Sequence, residues 1–159
     1  MTIISRDIKL AARILRRGGI VAYPTESSYA LGCDATNQTA VKKIYALKKR
    51  PRGKQITVIV GSMKVVERHA LLGADDNNIV RKLMPGRLTL VCRGRSGGEF
   101  AFRMPLHKTA FALARRFGKP ITATSANISG KKPIYKVNNL LKLYGGRIDM
   151  VLDGGTLPR

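Results

Sequence analysis

The chain contains no tryptophan, two cysteines, two histidines and nine acidic residues in a total of 159. Each shortage removes a class of chemistry. Cys33 and Cys92 stand far apart and outside any C-x-x-C spacing, so neither a disulfide framework nor a zinc knuckle is expected. Both thiols are assigned to the core of a cytoplasmic protein. His69 and His107 form no H-E-x-x-H or other ligand pair, so no metal site is expected and both read as surface or helix-end residues. The few carboxylates make no pair suited to glycoside chemistry. The sequence also lacks the P-loop pattern, a G-x-G-x-x-G turn and a G-x-S-x-G elbow. No apolar run approaches the length of about 18 residues that a membrane span needs. Arg6, Asp7 and Lys9 interrupt the N-terminal residues, so no secretory leader is expected.

Positive charge is what the chain has in excess. Thirty Lys and Arg against nine Asp and Glu leave a net charge of +21. Such a surplus repels itself in a compact state, which makes an anionic partner the natural inference. Nucleic acid, polyanionic small molecules and acidic membranes all qualify, and a merely basic surface is the alternative. The cations run along the whole chain, which argues against a disordered basic arm. Apolar residues at 44% and charged residues at 25% are a globular composition, and the length fits one domain over 1–159.

Periodicity predicts helices over 5–17 (capped by Ser5 or Asp7), 39–48 (capped by Thr39), 63–71, 78–84, 107–117 and 138–144. It predicts strands over 20–23, 55–60, 88–92, 100–104, 121–124 and 148–152. Helices and strands intermix with short connections, which gives an α/β layered fold with a mixed sheet.

Four segments carry hydroxyls or cations at the ends of these elements. The stretch 24–32 reads as a polar loop in which Thr25, Ser27 and Ser28 offer hydroxyls; taken alone it is an ordinary capping turn. At Lys48-Lys49-Arg50-Pro51 the proline pushes Arg50 extended, so Lys48 and Arg50 can converge on one anion such as a triphosphate. Cations also settle at helix C-termini for dipole reasons, and both readings stand. Arg103 lies in an apolar alternation, 100–104, and suits a carboxylate if its face borders a cleft; otherwise it is a solvated strand residue. At 120–130 a strand delivers Ser125 and Asn127 into a small-residue loop, the position where α/β sheets bind ligands. The density of small hydroxyl residues there favours a site over a capping turn.

Together these segments resemble the YrdC-like family, the threonylcarbamoyl-AMP synthases of TsaC type. Its PTET-x-YGLG block is similar to 24–32, its K-x-R-P to Lys48-x-Arg50-Pro51, and its PGP-x-T to Pro85-Gly86-Arg87-Leu88-Thr89. Its V-R-x-P is similar to Phe102-Arg103-Met104-Pro105, its TSAN-x-SG is met intact from Thr124 to Gly130, and its D-x-x-x-D-G-G from Asp149 to Gly155. Six blocks in register cover nearly the whole chain. The departures are Ser27, Ala30 in place of a glycine, Arg87 in place of a proline, and Gln55-Ile56 where Pro-Leu is common. The family continues past its D-G-G block into an S-T-x-x-D strand that contributes nucleotide contacts, whereas this sequence ends at Thr156-Leu157-Pro158-Arg159. That implies either a truncated chain or a minimal member with a partly open ATP site.

The resemblance implies a three-layer fold around a twisted mixed β-sheet with a basic concave cavity. It implies a nucleotidyltransferase: L-threonine, bicarbonate and ATP give threonylcarbamoyl-AMP and pyrophosphate, and a downstream transferase uses the product to modify tRNA. Lys48, Arg50, Ser125 and Asn127 are then the catalytic and ATP-binding residues, with Mg2+ on the triphosphate. Thr25, Arg103 and Ala123 are on the threonine and bicarbonate side. Two alternatives share the fold: a non-catalytic module that binds tRNA or double-stranded RNA, and a carbamoyl-adenylate-forming relative that uses carbamoyl phosphate.

Overall fold

The structure is a computed structural model that describes residues 1–51 and 53–158. Residues 20–23 explain its layering. Val21 and Tyr23 belong to one apolar cluster, Ile20 and Ala22 to another, and all four are buried. A strand that hides both faces needs a cover on each side. Val21–Pro24 (β2) accordingly sits inside a five-stranded sheet with Ile3–Ser5 (β1), Tyr29–Gly32 (β3), Thr124–Ser125 (β9) and Met150–Leu152 (β10). The order across the sheet is β1-β10-β2-β3-β9, parallel through the first three strands and antiparallel thereafter.

Helices Ile8–Arg16 (α1) and Lys108–Phe117 (α5) cover the Tyr23 face through Ala11, Ala12, Leu15, Leu113 and Phe117. Gln38–Lys48 (α2) and Val137–Tyr144 (α6) cover the Ala22 face through Ala40, Ile44, Leu140 and Tyr144. These are the three expected layers. The structure adds a second five-stranded sheet, built from Val58–Ile59 (β4), Ala70–Leu71 (β5), Leu90–Gly94 (β6), Glu99–Arg103 (β7) and Ile121–Thr122 (β8). Its order is β5-β6-β7-β4-β8, and Met63–His69 (α3) and Ala74–Leu83 (α4) pack on it around Val66, Val80 and Phe102.

One extended segment joins the sheets. Residues 121–122 pair with β4, and residues 124–125, two steps later, pair with β3. Around this crossing the Tyr23 hydroxyl donates to Thr122 O at 3.0 Å, and the Cys33 N–H donates to Thr122 Oγ1 at 3.0 Å. Gly32 lies so close that a Cβ there would come within 2.6 Å of Tyr23 and 2.7 Å of Ile121, which leaves room for no other residue.

Several boundaries differ from the sequence reading, each for a local reason. α1 begins after Asp7, whose carboxylate accepts from Lys9 N and Leu10 N, while Ser5 belongs to β1. Asn37 rather than Thr39 caps α2, accepting from Ala40 N. The predicted loop 24–32 is a turn only over 25–28; residues 29–32 return as β3 against β2. β1 was missed because Ile3 and Ile4 are exposed and give no alternation. α4 starts at Ala74, four residues earlier than expected, where the Asp76 carboxylate accepts from Gly73 N. Cys33 is buried as expected, but Cys92 is only half-buried on β6.

Replacing Tyr23 by Phe removes the hydroxyl tie between the sheets. The expected result is a loss of about 1 kcal/mol of stability in urea unfolding, with unchanged far-ultraviolet circular dichroism.

Candidate active site

The end of α2 sets the geometry. Lys49 adopts the left-handed conformation, at φ 50°, and stops the helix; Pro51 prevents its continuation. Lys48 therefore occupies the last turn, and on the inner face it is 1% exposed. Its ammonium cannot be buried without partners. Nζ donates to Ser125 O and, at 2.7 Å, to Asn127 O, while the Lys48 carbonyl accepts from Ser129 N at 2.9 Å. The helix end and the 125–129 loop thus form one hydrogen-bonded unit. Burial first, and the nearby Arg50 charge second, pull the Lys48 pKa down to about 8.

Arg50 is arranged differently from the expected convergence on one anion with Lys48. Nε donates to Lys54 O at 3.0 Å and Nη2 to Gln55 O at 2.7 Å, so its guanidinium ties down the following loop. It also lines a groove of about 580 Å³ on the solvent side of α2, together with Val41, Lys42, Tyr45 and Lys49. Lys48, pointing inward, does not line that groove.

The loop after β9 presents its two predicted residues unequally. Ser125 is exposed. Asn127 is 6% exposed, donates through Nδ2 to Ile128 O and Lys131 O, and leaves Oδ1 buried without a hydrogen bond. Ala123, half-buried between β8 and β9, donates its N–H to Thr57 O at 2.8 Å.

Thr25 opens the turn between β2 and β3. Its hydroxyl donates to Ser28 O at 2.7 Å and accepts from the Ser27 and Ser28 N–H groups, the local geometry of a hydroxyl-capped turn. The fixed turn carries Glu26, which the sequence reading had not singled out. Glu26 Oε1 lies 3.2 Å from Arg103 Nη1, with side-chain exposures of 13% and 19%. The separation of an acid on one turn from a cation on a distant strand hides this pair from any spacing rule. Arg103 is thereby a partly buried member of an ion pair and not a solvated strand residue.

The D-G-G block works as a latch. Tyr29 Oη donates to Gly155 O at 2.8 Å and accepts from Gly154 N at 2.9 Å. A Cβ on Gly154 would come within 2.6 Å of Pro24, so glycine is required where this segment crosses the hairpin. His69 and His107 stand at helix ends as expected, and no cluster of three His, Cys, Asp or Glu able to hold a metal occurs among the described residues. Among the same residues no helix is long and apolar enough to cross a membrane.

Comparison with known proteins decides the family. The family model for Sua5, YciO and YrdC, described as telomere recombination, matches residues 13–159. The chain belongs to that family. It is 36% identical over 157 residues to a threonylcarbamoyl-AMP synthase of Halorhodospira halophila, a match covering 92% of the chain and 82% of that protein. It is 38% identical over 162 residues to the threonylcarbamoyl-AMP synthase of Bacillus subtilis, covering 94% of the chain but 46% of the longer protein. The crystal structure of Pyrococcus abyssi Sua5 complexed with L-threonine superposes at a TM-score of 0.89 with 31% identity, over 99% of this chain and 51% of that one. The chain therefore spans about half the length of the Bacillus synthase and of Pyrococcus Sua5, and most of the shorter Halorhodospira synthase.

Two measurements check the Lys48 arrangement. Selective ¹⁵N-lysine NMR should show one amine titrating near pH 8, against the usual 10.5. Lys48→Met should cost about 2 kcal/mol at pH 7 and speed amide exchange across the 125–130 loop, because two carbonyls lose their donor. The sign of the pH effect follows from the lowered pKa: above pH 8 the fold no longer buries a charge. The stability advantage of wild type over Lys48→Met should therefore grow between pH 8 and 10.5.

Proposed function

We propose that this chain forms threonylcarbamoyl-AMP and pyrophosphate from L-threonine, bicarbonate and ATP. The single observation that supports this best is the unit formed by Lys48 and the Ser125–Asn127 loop. It joins two of the family's blocks, 77 residues apart in sequence, through the buried ammonium. Arg103 with Glu26, and Thr25 in the same turn, supply a second polar region suited to an amino acid.

In this reading Arg50 exchanges its Lys54 and Gln55 carbonyl partners for the triphosphate and offsets its charge together with Lys48, and Ser125 and Asn127 hold nucleotide oxygens through a hydroxyl and an amide. Arg103 takes the threonine carboxylate, with Thr25 and Ala123 beside it. Threonine binds as the zwitterion; once its ammonium has given up a proton, the amine captures bicarbonate with loss of water, or CO2 directly, as a carbamate, and a carbamate oxygen attacks the α-phosphorus in line as pyrophosphate leaves. All three reactants are anionic or become so. Fixed cations that hold them together therefore contribute more than a general base would. Mg2+ would come as part of the nucleotide substrate, and the chemistry it would supply is neutralisation of phosphate charge beside Arg50 and Lys48. The product, a mixed anhydride, is the activated donor whose threonylcarbamoyl group a separate transferase passes to an adenosine of tRNA while AMP leaves. A single YrdC-like domain working in the cytoplasm completes the reading.

The test is pyrophosphate release from ATP. It should require threonine and bicarbonate together, and carbamoyl phosphate should not replace them. Arg50→Ala should lower kcat/KM for ATP about 100-fold, the scale set by a lost charge-assisted contact. Turnover that is indifferent to threonine would overturn the assignment.

A further inference from the structure

Glu26 is the one acid between Asp7 and Asp34 in a chain rich in cations. The Thr25-capped turn holds it against β7, where its carboxylate meets Arg103 at 3.2 Å. Both Glu26 oxygens are buried; Oε1 has the Arg103 ion pair as its one partner, and Oε2 has none. Arg103 Nε and His107 Nδ1 are buried without hydrogen-bond partners as well. His107, at the start of α5, lies within electrostatic reach of the same carboxylate. Burial lowers its pKa and the Glu26 charge opposes that. Tyr23, fully buried, borders the group; burial raises its pKa, so it contributes no charge.

Buried polar atoms in folded proteins nearly always have partners. Apart from the Oε1–Nη1 contact, Glu26 Oε2, Arg103 Nε and His107 Nδ1 have no partner, three open positions on three side chains where the polar atoms of a ligand would find partners. Its character follows from the charges. An anion alone would meet Arg103 but be repelled by Glu26, and a cation alone would meet the reverse. A ligand that carries both charges on adjacent atoms satisfies both. Its carboxylate lies on the guanidinium, its ammonium lies on the carboxylate, and the internal ion pair is exchanged for two intermolecular ones.

We propose that Glu26 binds the α-ammonium group of the amino-acid substrate while Arg103 binds its carboxylate, so that the pair selects zwitterionic α-amino acids. This rests on the reading of the protein as a threonine-consuming enzyme. It gives the acid of this turn a role beside ligands that are otherwise all anions.

The experiment is calorimetric titration of wild type and Glu26→Gln with L-threonine and with 3-hydroxybutanoate, which is threonine without its amino group. Wild type should bind threonine at least about tenfold tighter than 3-hydroxybutanoate, the scale of a charge-assisted hydrogen bond. Glu26→Gln should lose about tenfold for threonine yet bind 3-hydroxybutanoate as well as wild type or better, because Arg103 is released from its internal partner. Equal weakening of both ligands would reduce Glu26 to a scaffold for Arg103 and overturn the proposal. Equal affinity of wild type for the two ligands would overturn it without any variant, so a poorly folded Glu26→Gln does not block the test. Absence of threonine binding by wild type, with 3-hydroxybutanoate bound, would overturn the proposal and the substrate reading together. Threonine-dependent pyrophosphate release with no amine preference would overturn the proposal alone.

Discussion

A lysine ammonium placed where water cannot reach it must find oxygen atoms, and Lys48 finds two carbonyls of a loop nearly 80 residues away. The arrangement depends on that demand. The left-handed Lys49 ends the helix so that its last inward residue is the lysine, and β9 ends so that the loop carbonyls turn towards it. Because the donor is a charged group, the contact is stronger than a neutral hydrogen bond, and losing it would leave carbonyls unpaired inside the protein. The cation is therefore a structural clasp before it is anything else. A pKa near 8 also means that its charge responds to whatever anion comes within reach.

The surplus of positive charge has a related consequence. Three ion pairs occur among the described residues, Arg6–Asp153, Arg103–Glu26 and Lys119–Asp34, in a chain carrying thirty Lys and Arg. Arg6 and Lys119 are largely solvated, so their pairs contribute little. The Arg103–Glu26 pair is the one held away from water. Most of the remaining cations face solvent, where they attract anions without holding the fold together.

Much of the architecture was legible in the sequence because burial imposes a period. The alternation of Val21 and Tyr23 against Ile20 and Ala22, and the helical spacing of Ala11, Ala12 and Leu15, are direct imprints of the layers they face. β1 and β5 were not legible, since two- and three-residue strands with exposed side chains leave no pattern. The hairpin at 24–32 has the sequence of a loop because its small polar residues belong to the turn, while Tyr29 and Leu31 alone mark the returning strand. Of the candidate site residues, Lys48, Arg50, Ser125, Asn127, Thr25 and Arg103 stand out in the sequence as residue types at the ends of elements, whereas Ala123 comes only with the family resemblance. The inward turn of Lys48 and the presence of Glu26 do not stand out, because both depend on contacts between segments that only the tertiary fold brings together.

The position of β10 has a consequence for synthesis. It lies between β1 and β2, pairing with both, and the Asp153 N–H that follows it donates to Ser5 O. On the ribosome, β1 and β2 emerge early but cannot become neighbours. The space between them stays open until residues 150–152 leave the exit tunnel. Until then two apolar strand edges wait unpaired, and the nascent chain is open to wrong pairing with other chains. Completion of this sheet is thus a late, non-local event, timed by translation as much as by the speed of the chain.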